Sequence, residues 1–435
     1  MNRLLRADAE AVVQEAIAAV LPEQAVSHAL AGKRFPGRVF LVALGKAAYR
    51  MAAAALDVLS VPVTDGIVIS KYNHLGKELP GLRFFETGHP VPDENSIAAA
   101  DAACRMTEGL SRDDTVLFLL SGGGSALFEK PLVPLSQLQD ITGQLLACGA
   151  DIVEMNTIRK RLSAVKGGRF AAHCAPAHVE AVILSDILGD PLDMIASGPV
   201  SPDASSCADA RRIIEKYDLR LSAEARKLME TETPKELSNV NAQVVGSVRE
   251  LCRAAGNALQ RLGYETVFLT DRMDCEAREA GRFLASILRT HTASGKKIAF
   301  LAGGETVVHL TGHGLGGRNQ ELALAAAEGI RGMKNAAVIS VGSDGTDGPT
   351  DAAGGYVDGD SFDAMKKAEF DLHEVLQDND AYHALQAIDG LIATGPTGTN
   401  VNDISVALLN PEIPVAETSE ASAQAQQQLL NKRTN

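Results

Sequence analysis

Glycines and charged side chains are concentrated where short apolar runs of the sequence end. Four such runs close on ALGK, LLSGGGSA, LAGGET and SVGSDGTDG, at residues 43–46, 119–126, 301–306 and 340–348. Backbone N–H groups in glycine-rich turns that open a helix form binding sites for anions. Four of these turns in one chain favour a cleft that handles phosphate groups.

Two cations stand where helices are predicted to begin, and a positive charge there opposes the helix dipole. Lys46 follows an apolar run and a glycine, and Arg318 closes the stretch HGLGGR. A guanidinium or ammonium in such a place can neutralise a carboxylate or a transferring phosphoryl group. We interpret both as candidate catalytic residues. The alternatives are a solvated surface lysine and a structural arginine that is paired with an acidic neighbour.

Small and hydrogen-bonding residues in the same turns are candidates for binding substrate or nucleotide. Gly122, Gly123 and Gly124 leave three residues without side chains, so a diphosphate or carboxylate can approach the backbone closely. The pattern is neither the Walker motif nor a clear G-x-G-x-x-G fingerprint, and a tight strand-to-helix turn is the alternative. The predicted binding set is Ser121, Gly122, Gly123, Gly124, Ser125, Gly304, Glu305, Asn319 and Asn400.

Aspartates alternate with glycines after two of the apolar runs, in SDILGDPLD and SDGTDGPTD. Loops of this kind suit Mg²⁺ with its bound waters, although each aspartate taken alone also suits an Asx turn. The predicted metal-binding residues are Asp186, Asp190 and Asp351. His89 and His313 lack a partner in the sequence, and we interpret them as structural.

The elements that must position these residues alternate between short buried strands and helical patterns. Continuous apolar strands between helices indicate a parallel sheet that is covered on both faces. The predicted fold class is α/β with two domains, one over residues 1–240 and one over residues 241–415. A polar tail is predicted over residues 416–435.

Composition excludes several classes of function for this chain of 435 residues. The formal net charge is −14 and no Lys/Arg cluster stands out, so no nucleic-acid partner and no anionic membrane surface is expected. No run approaches the length of a membrane span, and acidic residues interrupt the N-terminus where a signal peptide is apolar. Six cysteines without a C-x-x-C spacing indicate reduced thiols and a cytoplasmic protein.

Together the motifs resemble those of one known family. LSGGGSAL, VKGGR, LSDILGDPLDMIASGPVSPD, GGET, GGRNQELAL, SDGTDGPTDAAGG and TGPTGTNVND are similar to stretches of the class II glycerate 2-kinases. Members carry a C-terminal MOFRL-type domain, and many have been described as hydroxypyruvate reductases. The resemblance covers residues from about Ala43 to about Leu408.

The resemblance implies a Rossmann-like doubly wound N-terminal domain and a smaller C-terminal α/β domain of the MOFRL type. It implies ATP-dependent phosphorylation of D-glycerate at O2, with the active site in the cleft between the two domains. It also implies that the catalytic lysine and arginine of the family match Lys46 and Arg318. A carboxylate is expected to accept the hydroxyl proton, and which carboxylate does so stays open. The expected ligands are ATP, Mg²⁺ and glycerate, and the sequence leaves a homo-oligomer open.

Two other functions remain alternatives. A hydroxypyruvate reductase that uses NAD(P)H needs a G-x-G-x-x-G turn with an acidic residue about 20 positions later, and none is convincing after Ala43 or Leu120. A non-catalytic regulatory or scaffold module could use the same glycine turns to bind anions. It would not need a lysine, an arginine and several aspartates at the strand ends.

Overall fold

The computed structural model describes residues 1–411, which form two compact α/β units. One unit comprises residues 22–246, and the other comprises residues 1–21 together with the described residues from Ser247 onward. The helices are α1 (Arg3–Ala19), α2 (Pro22–Leu30), α3 (Ala48–Val58), α4 (Glu94–Met106), α5 (Gly124–Leu127), α6 (Leu135–Ala147), α7 (Ile152–Arg161), α8 (Arg169–Cys174), α9 (Cys207–Tyr217), α10 (Ala223–Met229), α11 (Val248–Arg261), α12 (Ala277–His291), α13 (Arg318–Gly329), α14 (Ser361–Lys367), α15 (Leu372–Asp378) and α16 (Ala381–Ala387). The strands are β1 (Val39–Leu44), β2 (Val63–Lys71), β3 (Leu82–Thr87), β4 (Thr115–Leu120), β5 (His178–Leu184), β6 (Val240–Gly246), β7 (Glu265–Met273), β8 (Ile298–Gly304), β9 (Ala336–Gly342), β10 (Gly354–Asp358), β11 (Leu391–Ile392) and β12 (Asp403–Leu409).

The unit of residues 22–246 is built on a six-stranded parallel sheet in the order β3-β2-β1-β4-β5-β6. Strands β1 and β4 are buried along their whole length because apolar clusters cover both faces of the sheet. The order is that of a Rossmann-like doubly wound sheet, in which ligands bind where the order reverses, here between β1 and β4. The predicted α/β class and Rossmann-like first domain are confirmed.

The second unit has a mixed sheet in the order β11-β10-β9-β12-β8-β7. Strands β7 and β8 are parallel, whereas β12 runs antiparallel to both β8 and β9. Strand β10 also pairs antiparallel with β9. The sequence did not predict β10, since five residues that begin with two glycines carry a weak strand signal.

Local signals in the sequence explain where several helices begin. Asp93, Asp151 and Ser206 each accept a hydrogen bond from the backbone N–H three residues later, and the side chain of that later residue bonds back to the cap. These capping boxes satisfy N–H groups that have no partner within a helix. They place the starts of α4, α7 and α9.

The observed units differ from the predicted division of the chain at residues 1–21 and at β6. Helix α1 packs against α11, and the Tyr264 hydroxyl donates a hydrogen bond of 2.9 Å to Asp8. The backbone N–H of Asn2 donates to Asp358 at 2.5 Å. The amphipathic N-terminal helix therefore belongs with the later unit, while β6 completes the first sheet by pairing with β5. The predicted polar tail, 416–435, lies outside the described residues.

Within residues 1–411, no helix combines the length and the apolar character that crossing a membrane requires.

Candidate active site

Lys46 lies at the reversal point of the first sheet, where the loops after β1 and β4 are hydrogen-bonded together. Its backbone N–H donates to the carbonyl of Gly122 at 3.0 Å, and the N–H of Ser121 donates to Leu44 at 2.9 Å. The Ser121 hydroxyl accepts a further bond of 3.0 Å from the N–H of Ala47. The structure therefore brings Lys46 together with the predicted binding residues Ser121–Ser125.

The glycine loop after β4 is approached by side chains from three other segments. A Cβ on Gly123, whose φ is +88°, would lie 3.3 Å from both Lys46 Cε and His89 Nε2, and a Cβ on Gly122 would collide with the Asp186 carboxylate. Bare Cα positions are therefore required for the lysine, histidine and aspartate to reach the loop. His89 was interpreted as structural from the sequence, yet it borders the loop.

Two lysines and two histidines lie at this edge of the sheet without ion-pair partners among residues 1–411. The side chains of Lys46, Lys71, His74 and His89 form no salt bridge within residues 1–411. Burial, followed by the charges of Lys46 and Lys71, lowers the pKa of His89, and the pKa of His74 is lowered by burial and the same two lysines. His89 is therefore a neutral imidazole at neutral pH, next to an exposed ammonium group.

Two of the three predicted metal ligands lie on the loop after β5. Asp186 faces Gly122, and Asp190 has a buried Oδ1 atom with no hydrogen-bond partner among the described residues. A buried carboxylate oxygen in that state is a donor atom that suits a hard cation such as Mg²⁺. The third, Asp351, accepts a hydrogen bond of 2.7 Å from the Tyr382 hydroxyl. No cluster of three or more His, Cys, Asp or Glu side chains suited to a metal occurs between residues 1 and 411.

Arg318 begins α13 in the second unit, and carboxylates hold its guanidinium. Its Nε and one terminal nitrogen donate to the two oxygens of Asp403 at 2.5 and 3.0 Å, and the other terminal nitrogen lies 3.1 Å from Glu305. Burial lowers the pKa of Arg318, but Asp403 and Glu305 together raise it above its ordinary value, so the group stays charged. The Arg318 side chain is 34% exposed, and the two carboxylates orient its guanidinium.

Sequence reasoning missed the two aspartates that organise this helix start. Asp347 accepts bonds from the backbone N–H groups of Asn319 and Gln320 at 3.2 and 2.8 Å. Burial raises the pKa of Asp403 to about 6, although Arg318 opposes the rise. Both residues lie inside stretches that had been singled out, SDGTDG and TNVND, but their partners are distant in sequence.

The remaining predicted binding residues of the second unit occupy different environments. Gly304 ends β8, and Glu305 contacts Arg318 and accepts a bond of 3.0 Å from Asn402. Asn319 is 1% exposed, and its side-chain oxygen Oδ1 accepts a hydrogen bond of 2.6 Å from the Ser340 hydroxyl. Asn400 is exposed. Of these residues, Glu305 contacts Arg318, Asn319 is buried in a hydrogen-bond network, and Asn400 lies on the surface.

Comparison with known proteins assigns both units. Residues 8–230 match the family described as "Domain of unknown function (DUF4147)", and residues 298–403 match the MOFRL family. The chain is 48% identical over 404 residues to D-glycerate 2-kinase of Thermotoga maritima, with 92% of this chain and 97% of that protein covered. It belongs to the class II glycerate 2-kinase family with a MOFRL domain.

Other members of this glycerate 2-kinase family agree over nearly the whole length. Glycerate 2-kinase of Pyrococcus horikoshii is 40% identical, and the match covers 92% of this chain and 96% of that one. A putative hydroxypyruvate reductase of Agrobacterium vitis is 39% identical, over 92% and 93% of the two chains. The crystal structure of glycerate kinase from Thermotoga maritima superposes with a TM-score of 0.90 at 47% identity, and covers 93% of this chain and 99% of that chain.

Proposed function

We propose that this chain is a glycerate 2-kinase, which transfers the γ-phosphoryl group of ATP to the 2-hydroxyl of D-glycerate. The observation that carries the proposal is the placement of Lys46, which forms no ion pair with any residue between 1 and 411, beside three bare glycines at the reversal point of a Rossmann-like sheet. Membership of the family supplies the reaction and the two substrates, a nucleotide and a small hydroxy acid.

Phosphoryl transfer depends mainly on positioning and on neutralising charge. Lys46 and Arg318 are the catalytic residues of the proposal. The ammonium of Lys46 would stabilise the negative charge that builds up on the transferring group, and the oriented guanidinium of Arg318 would bind a carboxylate or phosphoryl oxygen. Backbone N–H groups of residues 122–125 and the hydroxyl groups of Ser121 and Ser125 would hold phosphate oxygens, with Glu305 and Asn400 contributing polar contacts in the second unit. The active site in the interdomain cleft stays a prediction.

We assign the proton acceptor to His89, in place of the carboxylate expected from the sequence. Its neutral ring reaches the same point above Gly123 as the side chain of Lys46. The imidazole would take the proton of the glycerate 2-hydroxyl while that oxygen bonds to the γ-phosphorus. The bond from the γ-phosphorus to the β–γ bridging oxygen breaks, and ADP leaves with that oxygen.

Asp186 and Asp190 are the residues of the described chain that we propose to hold Mg²⁺, since Asp190 presents a buried oxygen without a partner. The ion, when bound, supplies neutralisation of the nucleotide phosphates. We leave Asp351 out of this set because Tyr382 already engages its carboxylate. Two carboxylates are sufficient, since Mg²⁺ usually keeps several waters and phosphate ligands.

A cytoplasmic location is also proposed, because all six cysteines are unpaired thiols. Self-association into a homo-oligomer stays a prediction, as does the expectation that no nucleic acid or membrane is a partner.

The decisive experiment is ³¹P NMR of the products formed from ATP, Mg²⁺ and D-glycerate. We expect 2-phosphoglycerate and ADP in equal amounts. 3-Phosphoglycerate as the product would refute the assignment of the reacting hydroxyl, and no phosphoglycerate at all would refute the kinase. A parallel incubation with hydroxypyruvate and NADH or NADPH tests the reductase alternative, which is supported if the absorbance at 340 nm falls rapidly.

A further inference from the structure

Five basic side chains lie around the C-terminal end of α7 within residues 22–246, and three of them, Lys160, Arg161 and Lys166, are fully buried. Three of them meet carboxylates: Lys160 contacts Asp193 and Asp203 at 2.9 and 3.1 Å, Lys166 contacts Glu129 at 3.2 Å, and Arg161 lies 3.5 Å from Glu232. A fourth, Arg169, donates to the backbone carbonyls of residues 160, 161 and 163. Each of these four cations is therefore engaged by carboxylates or by at least two backbone carbonyls, although the Nε atom of Arg161 has no hydrogen-bond partner among the described residues.

Arg159 is the exception among the five. It forms no ion pair within the described chain, and its single hydrogen bond runs from a terminal nitrogen to the carbonyl of Ser125 at 3.3 Å. Its Nε atom is buried and has no partner. Burial lowers the pKa of Arg159, with the charge of Glu129 opposing, yet a guanidinium remains protonated in proteins. Glu129 is itself paired with Lys166, so Arg159 keeps N–H groups that a ligand oxyanion would bind.

The unpartnered guanidinium lies beside the glycine loop. Ser125, whose carbonyl accepts from Arg159, ends that loop, and its hydroxyl lies 3.0 Å from the hydroxyl of Ser197. The Ser197 hydroxyl in turn donates to Asn156 at 2.8 Å. Asn156 stands one turn before Arg159 on α7, so both side chains lie on the same face of the helix. These hydrogen bonds connect the glycine loop to α7, the helix that carries Arg159.

We propose that Arg159 binds an oxyanion of the substrates at the Ser125 end of the glycine loop, either the carboxylate of glycerate or a phosphate of the nucleotide. Its Nε and an adjacent terminal nitrogen form the planar fork that matches two oxygens of either group. The identity of the anion rests on the proposed function, whereas the existence of the site rests on the unpartnered side chain.

Isothermal calorimetry with three separate probes, D-glycerate, Mg·ADP and inorganic tripolyphosphate, tests the site on the full chain. We expect Arg159→Gln to weaken either D-glycerate, or ADP together with tripolyphosphate, tenfold or more, and to leave the other class within twofold. Arg159→Lys should bind the affected probes with an affinity between those of the wild type and Arg159→Gln, because lysine keeps the positive charge but lacks the planar pair of N–H donors. Which class weakens identifies the oxyanion.

A purely structural role predicts a different pattern. Because Arg159→Gln removes an unpaired charge, its melting temperature should stay close to that of the wild type. Arg105→Gln on α4, an exposed arginine without an ion pair, is the control and should change neither affinity nor melting temperature. If both Arg159 variants bind all three probes within twofold of the wild type, the inference is overturned whatever their melting temperatures, and an earlier melt would identify Arg159 as a structural residue. A wild type that binds none of the three probes overturns it as well.

The two proposals fail separately. Tripolyphosphate binding that depends on Arg159, in a protein that makes no phosphoglycerate, would keep the anion site and remove the kinase. If the protein forms phosphoglycerate and Arg159→Gln binds all three probes as tightly as the wild type, the kinase proposal stands and the anion site is refuted.

Discussion

The ring of His89 and the side chain of Lys46 meet above the Cα atom of Gly123. Their Nε2 and Cε atoms each lie 3.3 Å from the point where a Cβ of residue 123 would stand. The glycine thus holds open the small volume in which a proton acceptor and a cation can face the same substrate. A methyl group at this position would press on both.

Gly123→Ala is expected to lower kcat tenfold or more while the protein stays folded. The added methyl displaces Lys46 and His89, and small misplacements of reacting groups are costly for turnover. The positive φ of residue 123 adds strain of about 1–3 kcal/mol. Steady-state kinetics and thermal melting measure the two effects.

Gly109→Ala is the matched control for this variant. The φ of Gly109 is +68° and nothing lies within 4 Å of an added Cβ. Alanine at this position therefore strains the backbone but touches no neighbouring side chain. We expect a similar loss of stability and unchanged kcat. Equal kinetics in the two variants would show that the crowding above Gly123 has no catalytic consequence.

His89→Gln should lower kcat about a hundredfold or more and remove the acid limb of its pH profile. The acceptor must be neutral, and burial together with Lys46, Lys71 and His74 holds the pKa of His89 below the ordinary 6.5. In the wild type, kcat should therefore be constant near pH 7 and fall only as the pH drops below about 6.5. His74→Gln should keep that limb. A limb that persists in His89→Gln, or a change in KM alone, would make His89 a binding residue instead.

Lys46→Ala and Arg318→Ala should each reduce kcat about a hundredfold or more, as the loss of a charge partner in the transition state does. Lys227→Ala on α10, an exposed lysine without an ion pair, serves as the control for Lys46. For Arg318 the comparison is Arg318→Lys, since alanine leaves the buried Asp403 unpaired and also destabilises the fold. Near-normal turnover in folded alanine variants would refute both roles.

The strand ends could be predicted because the apolar runs stop at a glycine or a serine. Strand β4, Thr115–Leu120, has the predicted bounds, and Lys46 falls where the run RVFLVA and its glycine place it. A buried parallel strand leaves a strong signal, since every residue in it is apolar. Lys46 could therefore be assigned to the same sheet edge as the glycine loop.

Relationships between distant segments left no such signal. The ion pair of Arg318 joins residues that are 85 positions apart, and the sequence around neither residue indicates the other as its partner. Helix α1 shows an amphipathic pattern, but the pattern does not say which sheet its apolar face covers. His89 follows β3 without any acidic or basic neighbour in sequence, so only the folded loop reveals that it reaches Gly123.

Asp190→Asn should raise the Mg²⁺ concentration required for half-maximal activity tenfold or more, because asparagine replaces the carboxylate whose oxygen is buried without a partner. The backbone φ of residue 190 is +54°, and asparagine tolerates this left-handed conformation, so the fold should be retained. Calorimetric titration of ADP at several Mg²⁺ concentrations gives a readout that does not depend on turnover. Asp351→Asn removes a carboxylate of the same chemistry that Tyr382 engages, and it should leave the Mg²⁺ dependence unchanged. If the Asp351 variant shifts that dependence and the Asp190 variant does not, the metal ligands have been assigned to the wrong loop.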